Sequence, residues 1–233
     1  MSASDIRILA EKFLAGINYS HIDWHGIHAL ASCEASKGRV TVHPYGFFII
    51  KLDVTPGCQL RIHVWLDDPR PTQDPDWPPH DHNFAIDSLV LYGSLINQTW
   101  KVVPNGAGQH VLYRVNYKGQ YSALNRTNEN VDCSLESEAC LSAGMTYSVP
   151  LETFHAGVVK VGDTAMTLCL MHSQADVVPH VVGCISGQDR YLFKRDNCSP
   201  YALTKLLAHL DEFFGNPRST RPNKAMHPNP DPL

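Results

Sequence analysis

Pro78-Pro-His80-Asp-His82-Asn-Phe-Ala-Ile-Asp87-Ser-Leu-Val-Leu-Tyr-Gly93 is the stretch on which the reading of this chain turns. Its first half sets two histidines two residues apart. In an extended chain successive side chains alternate sides, so His80 and His82 can share one side and grip one ion. Its second half, Ser88 to Tyr92, is a strand-sized apolar run that ends at Gly93, where a tight turn leads into Ser94-Leu-Ile-Asn97. Asp87 follows His82 by five residues, close enough to be a further inward carboxylate. An H-x-H pair alone is weak evidence, because histidine pairs are common on surfaces.

Working outward, the chain from Arg39 onward has the grammar of strands. Phe47-Phe-Ile-Ile-Lys-Leu52 is apolar and β-rich, and a turn follows at Thr55-Pro-Gly57. From Gln59 to Leu66 the alternation is clean: Leu60, Ile62, Val64 and Leu66 face one way, and Arg61, His63 and Trp65 the other. A proline- and aspartate-rich loop, Asp67 to Pro79, leads into the H-x-H. Further short strands are predicted near Asn83–Leu91, Ser94–Val103, Gln109–Tyr117, Thr146–Val149, His155–Val161 and Thr164–His172. Many short strands between glycine and proline turns predict a mainly β barrel or sandwich.

Helices are predicted at the two ends. Ile6, Leu9, Phe13, Leu14 and Ile17 recur at helical spacing, with Ser4 as N-cap. A second short helix is predicted from Ser20, carrying His21, His25 and His28, either as a metal-binding pair on one face (His21 with His25, or His25 with His28) or as part of an amphipathic, partly exposed surface. Near the C-terminus, Ser199 is an N-cap and Pro200 the first helical residue. Leu203, Leu206, Leu207, Leu210 and Phe214 line one face, and Gly215 ends it. The predicted organisation is a helical segment over 1–38, a β-barrel over 39–198, a helix over 199–215 and a disordered tail over 216–233.

Composition narrows the function. The chain has 233 residues, 43% of them hydrophobic, and a net charge of −4. That is a globular composition with no basic field, so no nucleic-acid partner is expected. No apolar run approaches the roughly 18 residues of a membrane span, so no membrane is expected. No signal peptide is read at the N-terminus. The seven cysteines are widely spaced, odd in number and without a C-x-x-C, which points to a reducing, cytoplasmic setting. Histidine is the outlier at 13 residues, which sends the search back to metal-ligand spacing.

A second segment completes the pattern. Gly144-Met-Thr-Tyr-Ser-Val-Pro150-Leu-Glu-Thr-Phe-His155 reads as glycine, five residues, proline, then histidine five positions on. It resembles the second signature of the cupin family, and the H-x-H stretch resembles the first. The resemblance runs from about Phe47 to His172. It implies a single-domain cupin β-barrel, the double-stranded β-helix or jelly roll, with helices at both ends. It implies a metal held by His80, His82 and His155, with open positions for a small-molecule substrate and O2. Fe(II) is the favoured metal, with Mn, Ni, Zn and Cu also compatible with imidazole ligands. Asp87 is then either a fourth ligand or a carboxylate that orients a histidine. His63 and His172 are candidates for a pocket acid or base, and a homodimer stays open because cupins often pair through their sheets.

The implied activity is that of an Fe(II)-dependent oxygenase. A metal-assisted isomerase, lyase or hydrolase and a non-catalytic small-molecule-binding cupin are the alternatives. The run from Phe47 to His82 is also similar to thiol dioxygenases of the cysteine dioxygenase type. Those enzymes place an arginine near the position of Ile49 and carry a Ser-x-His-x-Tyr relay, where this chain has Thr167-Leu-Cys169-Leu-Met171. Neither device is intact here, although Arg61, His63 or His172 could substitute. The chain departs from the cupin signatures at Asp74, Asp87, Glu152 and Val159. The long segment between Gly93 and Gly144 leaves room for an extra hairpin or lid. Tyr92 and Trp100 are further candidates to line the pocket, and Cys169 reads as an inert buried thiol.

Overall fold

The computed structural model describes Lys12 and residues 23–55, 58–67, 73–119, 121–173, 175–194 and 198–215. The helix predicted from Ser4, the Ser20 cap with His21, and the tail over 216–233 lie outside the described residues. Helix α1 is Trp24–Ser36 and helix α2 is Pro200–Gly215. The strands are β1 (Val40–Val42), β2 (Phe48–Thr55), β3 (Cys58–Trp65), β4 (Ala85–Tyr92), β5 (Ser94–Pro104) and β6 (His110–Lys118). They continue with β7 (Tyr121–Ser142), β8 (Thr146–Val149), β9 (His155–Val158), β10 (Ala165–His172), β11 (His180–Cys184) and β12 (Arg190–Lys194). The protein is mainly β, as the strand grammar predicts. Among the described residues no helix is long and apolar enough to cross a membrane.

The strands form two antiparallel sheets. The first runs β1-β2-β3-β10-β4-β8, and the second β11-β6-β7-β5-β9, with β12 added on β7. The chain passes from the first sheet to the second at Gly93. Its φ of +68° is open to glycine, and a Cβ there would run into the Thr164 carbonyl oxygen.

The alternation read in β3 is what the first sheet is built on. Leu60, Ile62 and Val64 point to one side, into a core with Ile27, Leu30 and Ala31 of α1 and Leu206, Leu210 and Phe213 of α2. The central strand β10 repeats the pattern with Met166, Leu168 and Leu170. On the other side Ile49, Trp65, Val90 and Ala165 pack against Leu95, Leu141 and Val159, which come from the second sheet and its flank. The first sheet is therefore buried on both faces: helices on one, the second sheet on the other.

Three local expectations shift. Asp23 itself caps α1, its carboxylate accepting from the Gly26 N–H at 3.0 Å, so the helix starts later than a Ser20 cap requires. Ser199 does cap α2, accepting from the Ala202 N–H at 3.2 Å, but Leu207 is only partly buried while Leu206 and Leu210 are fully covered. The segment between Gly93 and Gly144 is three strands, and the last of them, β7, is 22 residues long. It pairs with β6 through its first half and with β5 through its second. Its run Asn125-Arg-Thr-Asn-Glu-Asn130 is polar throughout and half-buried to exposed, so it carries no alternating apolar signal.

Truncating a covered α2 residue opens a cavity against β3 and β10. Leu210→Ala should cost about 2–5 kcal/mol in chemical denaturation, and Leu207→Ala distinctly less. Equal losses at the two positions would contradict this packing.

Candidate metal centre

The site is set by backbone before any side chain is considered. The segment Pro79–Asp81 lies between β9 and β11, the two outermost strands of the second sheet. On one side the His80 N–H donates to the His155 carbonyl at 3.1 Å, and the His155 N–H returns to the His80 carbonyl at 2.9 Å. On the other, the Asp81 N–H donates to the His180 carbonyl at 3.0 Å and the Val182 N–H to the Pro79 carbonyl at 2.9 Å. The Asp81 side chain is buried, and its carboxylate accepts from the His180 N–H. His80 and His82 thus sit on an extended segment ahead of β4, and His155 is the first residue of β9.

The three rings converge. Their ligating nitrogens all lie within 4.8 Å of one another. His82 Nε2 and His155 Nε2 are 3.0 Å apart. Two of the three rings have a partner at Nδ1: the Pro78 carbonyl at 2.8 Å from His80, and Asn97 Oδ1 at 3.3 Å from His155. Both partners are acceptors, so Nδ1 carries the proton and Nε2 is left as the ligand atom. Phe84 stacks on His82, with centroids 4.8 Å apart. Burial pushes all three imidazoles below their ordinary titration range, and His82 and His155 are pushed further by neighbouring histidines. Neutral, convergent, pre-oriented imidazoles are the donor set a first-row divalent metal takes.

The cluster faces a cavity of about 70 Å³ with an aromatic wall that includes Tyr45, Phe47, Trp65 and Tyr147. Arg61 and His63 line it from β3, and Cys169 from β10. The Arg61 guanidinium lies 5.6 Å from the Phe84 ring centroid, and its Nε donates to Gln59 at 2.7 Å. A second cavity of about 230 Å³ adjoins the first, sharing Tyr45, Trp65, His80 and Gly157, and carries Asp76 at its wall. Burial, with the Arg61 charge nearby, pushes His63 down to about 3.

The structure separates the candidates that the sequence grouped. His63 lines the histidine cavity, but Asp87 and His172 lie on the opposite face of the first sheet. Asp87 shares its side of β4 with Leu89 and Leu91, which pack toward the helices. Its carboxylate accepts from the Ser148 hydroxyl and pairs with His172 Nε2 at 2.8 Å. Neither a ligand role nor a histidine-orienting role at the cluster fits that placement. Tyr92 is also on the helix side, stacked on Phe213 at 4.3 Å, and Trp100 is not among the residues lining the cavity. Sequence reasoning missed Asn97 and Asp81. One sits on a strand of the other sheet and the other inside the H-x-H itself, and only tertiary pairing reveals their work.

No family model matches this chain, and no curated protein does. Among solved structures 23 chains match. One is recombinant oxalate oxidase in complex with glycolate, 15% identical with a TM-score of 0.31. That match covers 58% of this chain and 55% of the other, so this chain spans about half the length of that structure. Two further oxalate oxidase structures, one in complex with the substrate analogue glycolate, are 14% identical with TM-scores of 0.32. Each covers 74% of this chain and 73% of its own. The closer likeness to thiol dioxygenases finds no support in these matches.

Two outcomes test the site. Alanine at His80, His82 or His155 should strip bound metal as read by elemental analysis, whereas Asp87→Asn should keep it. Loss of metal in Asp87→Asn would contradict the separation of the two clusters. Second, His63, His80, His82 and His155 have depressed folded pKa values, while in the unfolded chain they titrate near 6.5. The unfolded chain then binds more protons as pH falls below about 6.5, so the stability they permit is complete above that pH and is lost as pH falls toward the depressed folded values, about 3 for His63. The urea midpoint of metal-free protein should be lower at pH 5 than at pH 7. An unchanged midpoint would contradict the buried, neutral cluster.

Proposed function

We propose that this chain is a metal-dependent cupin enzyme, an Fe(II) oxygenase that joins O2 to a small organic anion. The observation that carries the reading is the convergence of His80, His82 and His155 as neutral imidazoles on a small aromatic-walled cavity. When bound, the metal would supply a site at which substrate and O2 meet. Three neutral ligands leave the double positive charge of the ion uncompensated, so an anionic substrate is favoured there. Arg61 adds a second positive charge on the cavity wall. The aromatic residues exclude water, which strengthens every charge interaction inside.

Size limits the substrate. The inner cavity, about 70 Å³, has room for the reacting end of a small molecule. Any larger portion would extend into the adjoining cavity of about 230 Å³. A chain working in the reducing cytoplasm agrees with seven free cysteines. Assembly as a homodimer and the barrel with flanking helices as one domain belong to the same reading.

The test is to load metal-free protein with Fe(II) or Zn(II) and offer small carboxylates, hydroxy acids, catechols and thiols with and without oxygen. The Fe(II) form should consume O2 only with substrate, and the Zn(II) form should be inert. Turnover by the Zn(II) form under argon would replace this reading with Lewis-acid isomerase, lyase or hydrolase chemistry.

A further inference from the structure

His63 has two unlike nitrogens. Nδ1 lies 3.5 Å from Cys169 Sγ on the neighbouring strand β10. Nε2 is closed off from solvent and has no hydrogen-bond partner among the described residues, although the ring lines the cavity. A buried polar atom left unpaired bears its full desolvation penalty, so its partner is expected from whatever fills the cavity.

The groups behind Cys169 decide what Nε2 offers. Ser88 Oγ and Thr167 Oγ1 each lie 3.2 Å from Cys169 Sγ. With His63 these make a cluster of four side chains that ends at the cavity. Within it the imidazole nitrogen is the strongest neutral acceptor and the thiol sulfur the weakest. The favourable polarity runs one way: the hydroxyls of Ser88 and Thr167 donate to the sulfur, and the thiol gives its one proton to Nδ1. Nδ1 is then an acceptor, and the ring proton stands on Nε2.

We infer that Cys169 locks His63 in the Nε2–H form, and that His63 donates this N–H to an acceptor oxygen of the small molecule bound beside the three histidines. This rests on the proposed function and narrows its substrate. Among the described residues the wall of the inner cavity has a guanidinium at Arg61, the His63 donor and no carboxylate, so a carboxylate or enolate oxygen fits it and an ammonium does not. His63 would touch substrate, while Cys169, Ser88 and Thr167 act through it as positioning residues. The thiol is therefore not an inert core residue.

The experiment is long-range ¹H–¹⁵N spectroscopy of histidine-labelled protein, metal-free and Zn(II)-loaded, with the His63 signals identified by their loss in His63→Gln. Nδ1 should resonate as an unprotonated nitrogen and Nε2 as a protonated one. Cys169→Ser should preserve that pattern and Cys169→Ala should lose it, which a purely space-filling thiol would not produce. Acetate is the binding probe: His63→Phe in the Zn(II)-loaded protein should bind it ~2–10-fold more weakly at unchanged zinc content. A proton on Nδ1 would overturn the inference, as would unchanged acetate affinity in a zinc-loaded His63→Phe. If that variant does not fold, the Cys169 pair carries the test, and an unaltered pattern in Cys169→Ala overturns it. Failure of wild-type protein to take up zinc would sink the metal reading instead, and the metal-free spectrum would still report the His63 proton.

Discussion

Everything at this site hangs on the extended segment Pro79–Asp81, clamped by backbone hydrogen bonds between β9 and β11. Those bonds set His80 directly against His155, although 75 positions separate them in the chain. With His80 fixed, the two-residue periodicity of an extended chain carries His82 toward the same centre. The buried Asp81 carboxylate, satisfied by the His180 N–H, holds the segment from the other side. Pro78 precedes it and Pro79 opens it, and both restrict the chain to extended conformations, which lowers the entropic cost of the clamp.

The first sheet supplies the second requirement, a dry wall. Its strands β3 and β10 have no solvent face. One face binds two helices through leucine, isoleucine and methionine, and the other presents Arg61, His63, Thr167 and Cys169 to the interior. Polar side chains there survive burial because they are paired with one another, as in the run from Ser88 and Thr167 through Cys169 to His63. Such a network is stabilising only when complete. The unpaired Nε2 of His63 is its open end, and it opens on the cavity.

Much of this was legible in the sequence, for identifiable reasons. The β3 alternation is strict, so both the helix-facing and cavity-facing sets could be read from it. The histidine trio was legible because metal ligation leaves fixed spacings. Asp87 misled because spacing along β4 does not tell which face is inward. The parity shared with Leu89 and Leu91 was the available signal, and it points to the helices. Strand β7 was illegible because its pairing partners lie on both sides and its own residues are largely solvated. Asn97 was hidden because orienting a ring is a tertiary relation that leaves no local motif.

The central claim is that His80, His82 and His155 together bind one metal ion through imidazole nitrogen. X-ray absorption at the metal edge of the loaded protein tests it most directly. The account predicts about three imidazole ligands, at about 2.0–2.1 Å for zinc, with the multiple-scattering pattern of intact rings. A shell of oxygen ligands without imidazole scattering would contradict it.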